Sequence, residues 1–107
     1  MFGSEIAMGP GKASLLEAIA ESGSISESAR RLGMSYRRAW LLVDTMNRCF
    51  REPLVESATG GHRGGGARVT DFGRHVLDHY RILEARVERS LDGILEDFSG
   101  LLANRAR

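Results

Sequence analysis

The chain has 107 residues, of which 42% are hydrophobic and 27% charged, the proportions of one small globular domain. A fold of that size buries only about 60–70% of the surface its unfolded chain exposes, which argues against a deep enclosed active site. No apolar run approaches the ~18–20 residues a membrane-spanning helix needs, and an aromatic content of 7% is that of a folded chain. The start, Met1-Phe2-Gly3-Ser4-Glu5, lacks the basic and apolar regions of a secretory signal. The single cysteine, Cys49, cannot close an internal disulfide. A cytoplasmic protein is the expectation. The net charge of +1 hides a gradient: between Arg30 and Arg74 nine arginines face four acids, a local +5, and the remainder carries −4. That basic middle suggests one surface facing a polyanion, although a solvated face alone has the same signature.

The elements follow in order. Phe2, Ile6 and Met8 fall in a short mixed stretch, Met1 to Met8, that reads as an edge strand, and Gly9-Pro10-Gly11 reads as a turn. A first helix is expected from about Ala13 to Ser22, with Leu15, Leu16, Ala18 and Ile19 as its apolar stripe and Gly23 as its C-terminal stop. Ser26 reads as the N-cap of a short second helix that ends at Leu32 before Gly33. Ser35 caps a third helix, Tyr36 to about Phe50, whose inner positions are Ala39, Leu42 or Val43, Met46 and Phe50. Pro53 marks where it cannot continue. Leu54–Ala58 and Ala67–Val69 read as two strands of a hairpin, with five glycines in the eight residues from Thr59 to Gly66 at its tip. Thr70 then caps a long last helix, Asp71 to Leu102, with Asp71 at the favourable end of the dipole.

On that last helix Tyr80, Leu83, Val87, Leu91, Ile94, Phe98 and Leu102 recur with an eleven-residue period, about 3.67 per turn, so paired helices run nearly straight or slightly right-handed. A strict heptad would put Ser90 and Asp97 in the seam. The stripe outruns any core the rest of the chain can supply. A second copy of the chain is its simplest cover, which makes Tyr80, Leu83, Val87, Leu91, Ile94 and Phe98 the candidate dimerisation residues.

The pair of short helices around Gly33 carries the functional signal. A helix-turn-helix needs a small residue in its first helix, glycine at the turn four residues later, and a small or apolar residue six positions further on. Ala29, Gly33 and Ala39 supply them, and Ser28 departs mildly by standing where an apolar residue is common. In that geometry the helix capped by Ser35 enters the major groove N-terminus first. Its leading residues are Ser35, Tyr36, Arg37 and Arg38, of which arginine can bond a guanine edge or a phosphate bidentately. The plainer reading is a helical bundle with an Ala–Gly contact. The glycine-rich hairpin would place Arg63 and Arg68 against the backbone of a duplex, the plainer reading being a surface loop without a partner. A nucleotide-binding loop is excluded, because G-x-x-x-x-G-K-[ST] is missing and Gly64-Gly65-Gly66 precedes a strand. Trp40 either wedges between the third helix and the hairpin or touches DNA. Burial is favoured, since exposing that much apolar surface costs roughly 2–3 kcal/mol.

Four segments together make the chain familiar: Ser22-Gly23-Ser24-Ile25-Ser26, Met34-Ser35-Tyr36-Arg37-Arg38-Ala39-Trp40, Leu54 through Gly61 with Gly64-Gly65-Gly66-Ala67, and Thr70-Asp71-Phe72-Gly73. They resemble the N-terminal winged helix domain of ModE-type molybdate-responsive transcriptional regulators, itself related to the LysR-type helix-turn-helix. The resemblance runs from about Gly9 to Tyr80. It implies a homodimer that binds double-stranded DNA, with Ser35, Tyr36, Arg37, Arg38 and Trp40 on the reading helix and a wing over Thr59–Arg68. Ser26, at the start of the preceding helix, joins them as a candidate. In molybdate-sensing members a C-terminal domain holds the oxyanion. Nothing after Gly100 is long enough for such a domain, so none is expected here.

Two other functions have weaker support. His75 and His79 share a helix face and could occupy two positions on a metal, with Cys49 and His62 as conceivable further ligands, but no C-x-x-C or H-E-x-x-H accompanies them. No nucleophile–base–acid set is apparent, and Cys49 near a helix C-terminus reads as a core packer. The expectation is a single domain over residues 1–107, mostly α with a small β-hairpin. It is a winged helix-turn-helix over 1–70 followed by a dimerisation helix over 71–102. It is expected to be a regulator reading a palindromic operator, linked to molybdenum metabolism, and neither an enzyme nor dependent on a cofactor. The alternatives are a winged helix that binds an acidic protein partner, and a small metal-responsive sensor.

Overall fold

The computed structural model describes residues 7–58 and 66–103. The expected edge strand lies for its first six residues outside them, as does the hairpin tip with Arg63; Met8 itself is in no strand. The order is α1 (Pro10–Ser22), α2 (Ile25–Arg31), α3 (Tyr36–Cys49), β1 (Val55–Ala58), β2 (Gly66–Val69) and α4 (Asp71–Ser99).

Helix α1 starts earlier than the turn chemistry of Gly9-Pro10-Gly11 suggests. Pro10 is its first residue, where the missing N–H has no intrahelical partner to lose and the fixed φ already suits a helix. The extended Gly9 accepts the first helical bond, from the Ala13 N–H, at 2.8 Å. The other end matches expectation: Gly23 takes the left-handed conformation, φ 70°, and its N–H donates to the Ile19 carbonyl. The Gly23 carbonyl accepts from the Ala67 N–H at 3.0 Å, pinning the end of α1 to β2.

Helix α2 is capped by Ser24, not Ser26. The Ser24 hydroxyl accepts from the Glu27 N–H at 3.0 Å, while Ser26 lies inside the first turn and is exposed. A serine at either position satisfies the same local rule, and the extended backbone at Ser24 decides between them. Ser28 is fully buried without being orphaned: its hydroxyl donates to the Ser24 carbonyl at 2.7 Å and lies 3.1 Å from the Ser22 hydroxyl. Ala29 and Ala39 are buried where the two helices meet, and Gly33 turns between them at φ 68°. The Met34 N–H donates back to the Ala29 carbonyl. The three positions that signalled a helix-turn-helix are those the turn requires.

Leu15, Leu16 and Ile19 of α1 meet Ile25 of α2, Val43 and Met46 of α3, Leu54 and Val55 at the hairpin base, and Leu77 of α4 in one core. Full burial of each large side chain is worth about 1.5–3 kcal/mol, so this cluster supplies most of the driving force. The hairpin is antiparallel, with Val55 opposite Val69 and Glu56 opposite Arg68. Thr70 caps α4, accepting from the Gly73 N–H at 2.8 Å while its own hydroxyl donates to the Pro53 carbonyl. Gly73 is buried so tightly against the Leu54 carbonyl that a β-carbon there would clash with backbone. That close approach sets the direction in which α4 leaves the core. Beyond Tyr80 α4 runs out into solvent, and its helix ends at Ser99, three residues before the expected Leu102.

Candidate nucleic-acid interface

The leading turn of α3 is built by one hydroxyl. Ser35 stands extended before the helix and accepts from the Arg38 N–H at 3.1 Å, so residues 36–38 form a regular first turn at the surface. Behind them Ala39, Val43 and Met46 face the core, which leaves Ser35, Tyr36, Arg37, Arg38 and Trp40 exposed. The unpaired N–H groups of that turn and the positive end of the helix dipole both favour an anion.

Pairing separates the arginines of the basic middle. Arg30 and Arg31 are held by Glu27 and Glu21, Arg48 by Asp44, Arg51 by Glu52 and Arg68 by Glu56. The hydrogen bond from Arg30 holds the Glu27 carboxyl below the usual carboxylate range, and the same contact raises Arg30. Among the described residues only Arg37, Arg38 and Arg74 of this stretch have no carboxylate partner. Two of those three are adjacent on the leading turn of α3. Of the charge excess that composition spreads over some forty residues, two of the three uncommitted cations among the described residues thus stand together at one helix end.

Arg68 is on the outer face of the hairpin, but the register sets it opposite Glu56, and the exposed ion pair between them is weak enough to exchange for another anion. Ser26 is exposed on α2, its hydroxyl 3.3 Å from that of Ser24. Trp40 is not the buried wedge that its size favours. It is 45% exposed, its indole N–H donates to the Tyr36 hydroxyl, and with Val43, Asn47, Val55 and Ala67 it lines a cleft of about 350 Å³ between α3 and the hairpin. The described residues leave nearly half of the indole uncovered, so apolar area alone misjudges it.

A family model described as the bacterial regulatory helix-turn-helix protein, lysR family, matches residues 12–74. The chain belongs to this family. Its matched span takes in most of α1, the helix-turn-helix pair, the hairpin and the first turn of α4. The molybdenum-pterin-binding protein MopA of Rhodobacter capsulatus is 48% identical over 82 residues, 77% of this chain and 31% of that protein. The DNA-binding transcriptional dual regulator ModE of Escherichia coli K12 is 41% identical over 95 residues, 89% of this chain and 36% of that protein. The chain therefore spans about a third of the length of these curated relatives. The crystal structure of the CbnR_DBD–DNA complex superposes with a TM-score of 0.66 over 84% of this chain and 98% of that one. At 21% identity that likeness is one of fold, a winged helix with a long C-terminal helix.

Three features of this LysR-type helix-turn-helix escape a reading by sequence. The Asn47 side chain clasps the hairpin base: its Oδ1 accepts from the Leu54 and Val55 N–H groups at 2.8 and 3.2 Å, and its Nδ2 donates to the Val55 carbonyl at 3.0 Å. An asparagine late in an amphipathic helix gives no local sign of that. Arg81 donates to Glu17 at 2.7 Å and to Glu84 at 3.0 Å, anchoring α4 to α1 where the core ends. Burial, ahead of the neighbouring Glu84, pushes the Tyr80 phenol up, so it stays neutral. The third feature is the Tyr36–Trp40 hydrogen bond itself.

His75 and His79 share a face of α4, their rings edge-to-face with centroids 4.4 Å apart. They line, with Cys49, Phe50, Tyr80 and Leu83, an apolar cavity of about 420 Å³. Among the described residues no group of three or more His, Cys, Asp or Glu side chains is placed to hold a metal ion, and no helix is long and apolar enough to cross a membrane. Cys49 is half-buried, at the edge of the core and not within it.

Proposed function

We propose that this protein is a sequence-specific DNA-binding transcriptional regulator that acts as a homodimer and serves molybdenum metabolism. The observation that carries this reading is the pair Arg37 and Arg38, exposed and without carboxylate partners among the described residues, on the capped leading turn of α3 in a lysR-family chain. In the docking geometry of a helix-turn-helix that turn faces base edges in the major groove. The outer face of the hairpin, with Arg68, lies toward the phosphate backbone. The likeness to ModE and MopA supports the molybdenum connection.

Helix α4 supports the dimer. Leu83, Val87, Leu91, Ile94 and Phe98 are all exposed on it. Its last turn has no basic residue, and Glu96 and Asp97 stand at the negative end of the dipole, so neither charge nor packing within one protomer sustains it. A helix projecting alone into water is marginal. A partner helix on the apolar stripe removes the problem. Two-fold pairing then sets palindromic half-sites about 34 Å apart, or a multiple of that.

Selection of bound duplexes from a random pool tests the reading, with Arg37→Ala/Arg38→Ala as the control. The wild-type chain should enrich a palindromic motif. The double variant should lose it while keeping its far-UV circular dichroism and melting temperature. No enrichment by the wild type, or the same motif from the variant, refutes it. A parallel selection in molybdate asks separately whether this segment responds to the oxyanion.

A further inference from the structure

Tyr36 and Trp40 are four residues apart on α3, so their side chains meet on one face. The Trp40 indole N–H donates to the Tyr36 hydroxyl oxygen at 2.5 Å. An indole nitrogen is a donor only, so the direction of this bond is fixed and the phenol is the acceptor. The phenol's own O–H is left over, and among the described residues it finds no acceptor. A hydroxyl that accepts one hydrogen bond becomes more polarised and a better donor in the next. Both side chains are exposed, Tyr36 by 53%, so a ligand can reach the phenol. Tyr36 is also the first residue of α3, beside Arg37 and at the positive end of the helix dipole, where the acceptor most favoured is an anionic one.

We propose that the Tyr36 hydroxyl donates to a phosphodiester oxygen of bound DNA, and that Trp40 is a positioning residue that aims and polarises that hydroxyl. The inference rests on the DNA-binding reading above and adds to it a neutral contact whose signature differs from that of an arginine. A phenol bonded to phosphate contributes affinity without displacing a counterion, whereas each arginine on a phosphate displaces about one.

The probes are the tightest duplex recovered from the random pool and a scrambled duplex of equal length, titrated by fluorescence anisotropy between 50 and 200 mM salt. Tyr36→Phe should weaken both duplexes by the same factor, about tenfold for a lost bond to a charged acceptor, with the salt slope unchanged. Trp40→Phe should weaken both by about threefold in the Tyr36 background and by nothing in the Tyr36→Phe background. Arg37→Ala should instead flatten the salt slope. Loss by Trp40→Phe in both backgrounds would mean that the indole touches DNA or props the fold, and overturns the positioning role. Loss confined to the selected duplex overturns the phosphate assignment. If Arg37→Ala loses affinity and Tyr36→Phe does not, this inference falls and the DNA-binding reading stands; if the wild type binds neither duplex, both fall. Should Trp40→Phe fail to fold, the chain's one indole N–H resonance still decides. It should move upfield in free Tyr36→Phe protein, and an unmoved resonance overturns the hydrogen bond on which the role depends.

Discussion

Replacing Asn47 with alanine is the sharpest test of how the reading helix is coupled to the hairpin. Asn47 makes three hydrogen bonds to the backbone of Leu54 and Val55, at 2.8, 3.2 and 3.0 Å, across the edge of β1 that β2 does not pair. A net contribution of about 1 kcal/mol per bond gives about 3 kcal/mol. Asn47 is only half-buried, so water can reach part of the vacated edge, and about 2 kcal/mol is the expected loss. For a chain of this size that lowers the melting temperature by roughly 10 °C and the urea midpoint by about 1 M. Urea titrations followed by circular dichroism and by the emission of Trp40, which lines the cleft above this contact, measure it. Protomer concentration must be held constant, because dimerisation adds to apparent stability. An equal slope with a lower midpoint is the expected form. A loss below about 0.5 kcal/mol would show that solvent replaces the clasp and that α3 and the hairpin are held together by apolar packing alone.

Two further expectations follow from particular contacts. Ser24→Ala removes the cap of α2 and should cost about 1 kcal/mol, while Ser26→Ala should leave the melting temperature nearly unchanged; equal effects would move the cap back to Ser26. Leu91→Glu puts a charge in the middle of the exposed stripe of α4 and should give monomers by sedimentation with the helix-turn-helix still folded, since Leu91 touches none of the core. A variant that stays dimeric would place the subunit interface elsewhere.

Much of the architecture was legible in local chemistry. Ser35 and Thr70 were readable as caps because a hydroxyl before an apolar-periodic run satisfies the first free N–H groups whatever surrounds it, and both do so here. The Ala29–Gly33–Ala39 spacing was readable because two helices crossing closely leave room only for small side chains at Ala29 and Ala39, while the turn between them needs the positive φ that glycine takes at Gly33. The start of α1 differs from the expectation because Pro10 serves a turn and a helix N-terminus equally, and the packing of α1 on the core decides which. Trp40 departs from expectation for a related reason: its position on α3 follows from the sequence, but how far its indole is covered depends on an angle between elements. Ser28 reads as a departure from an apolar pattern, yet the Ser22 hydroxyl and the Ser24 carbonyl satisfy it in full.

The order of elements, the helix-turn-helix and the apolar stripe of α4 belong to the sequence itself, because they depend on spacings of three to ten residues along one chain. Which cations are free to meet a polyanion is a different kind of fact. Arg68 and Arg37 are indistinguishable in a list of residues; one lies across a strand pair from Glu56, the other at a helix end with no carboxylate partner among the described residues. Charge pairing is set by distance in space, and those distances exist only once the hairpin and helices have packed. The surface on which α3 presents its arginines is therefore decided by the tertiary structure.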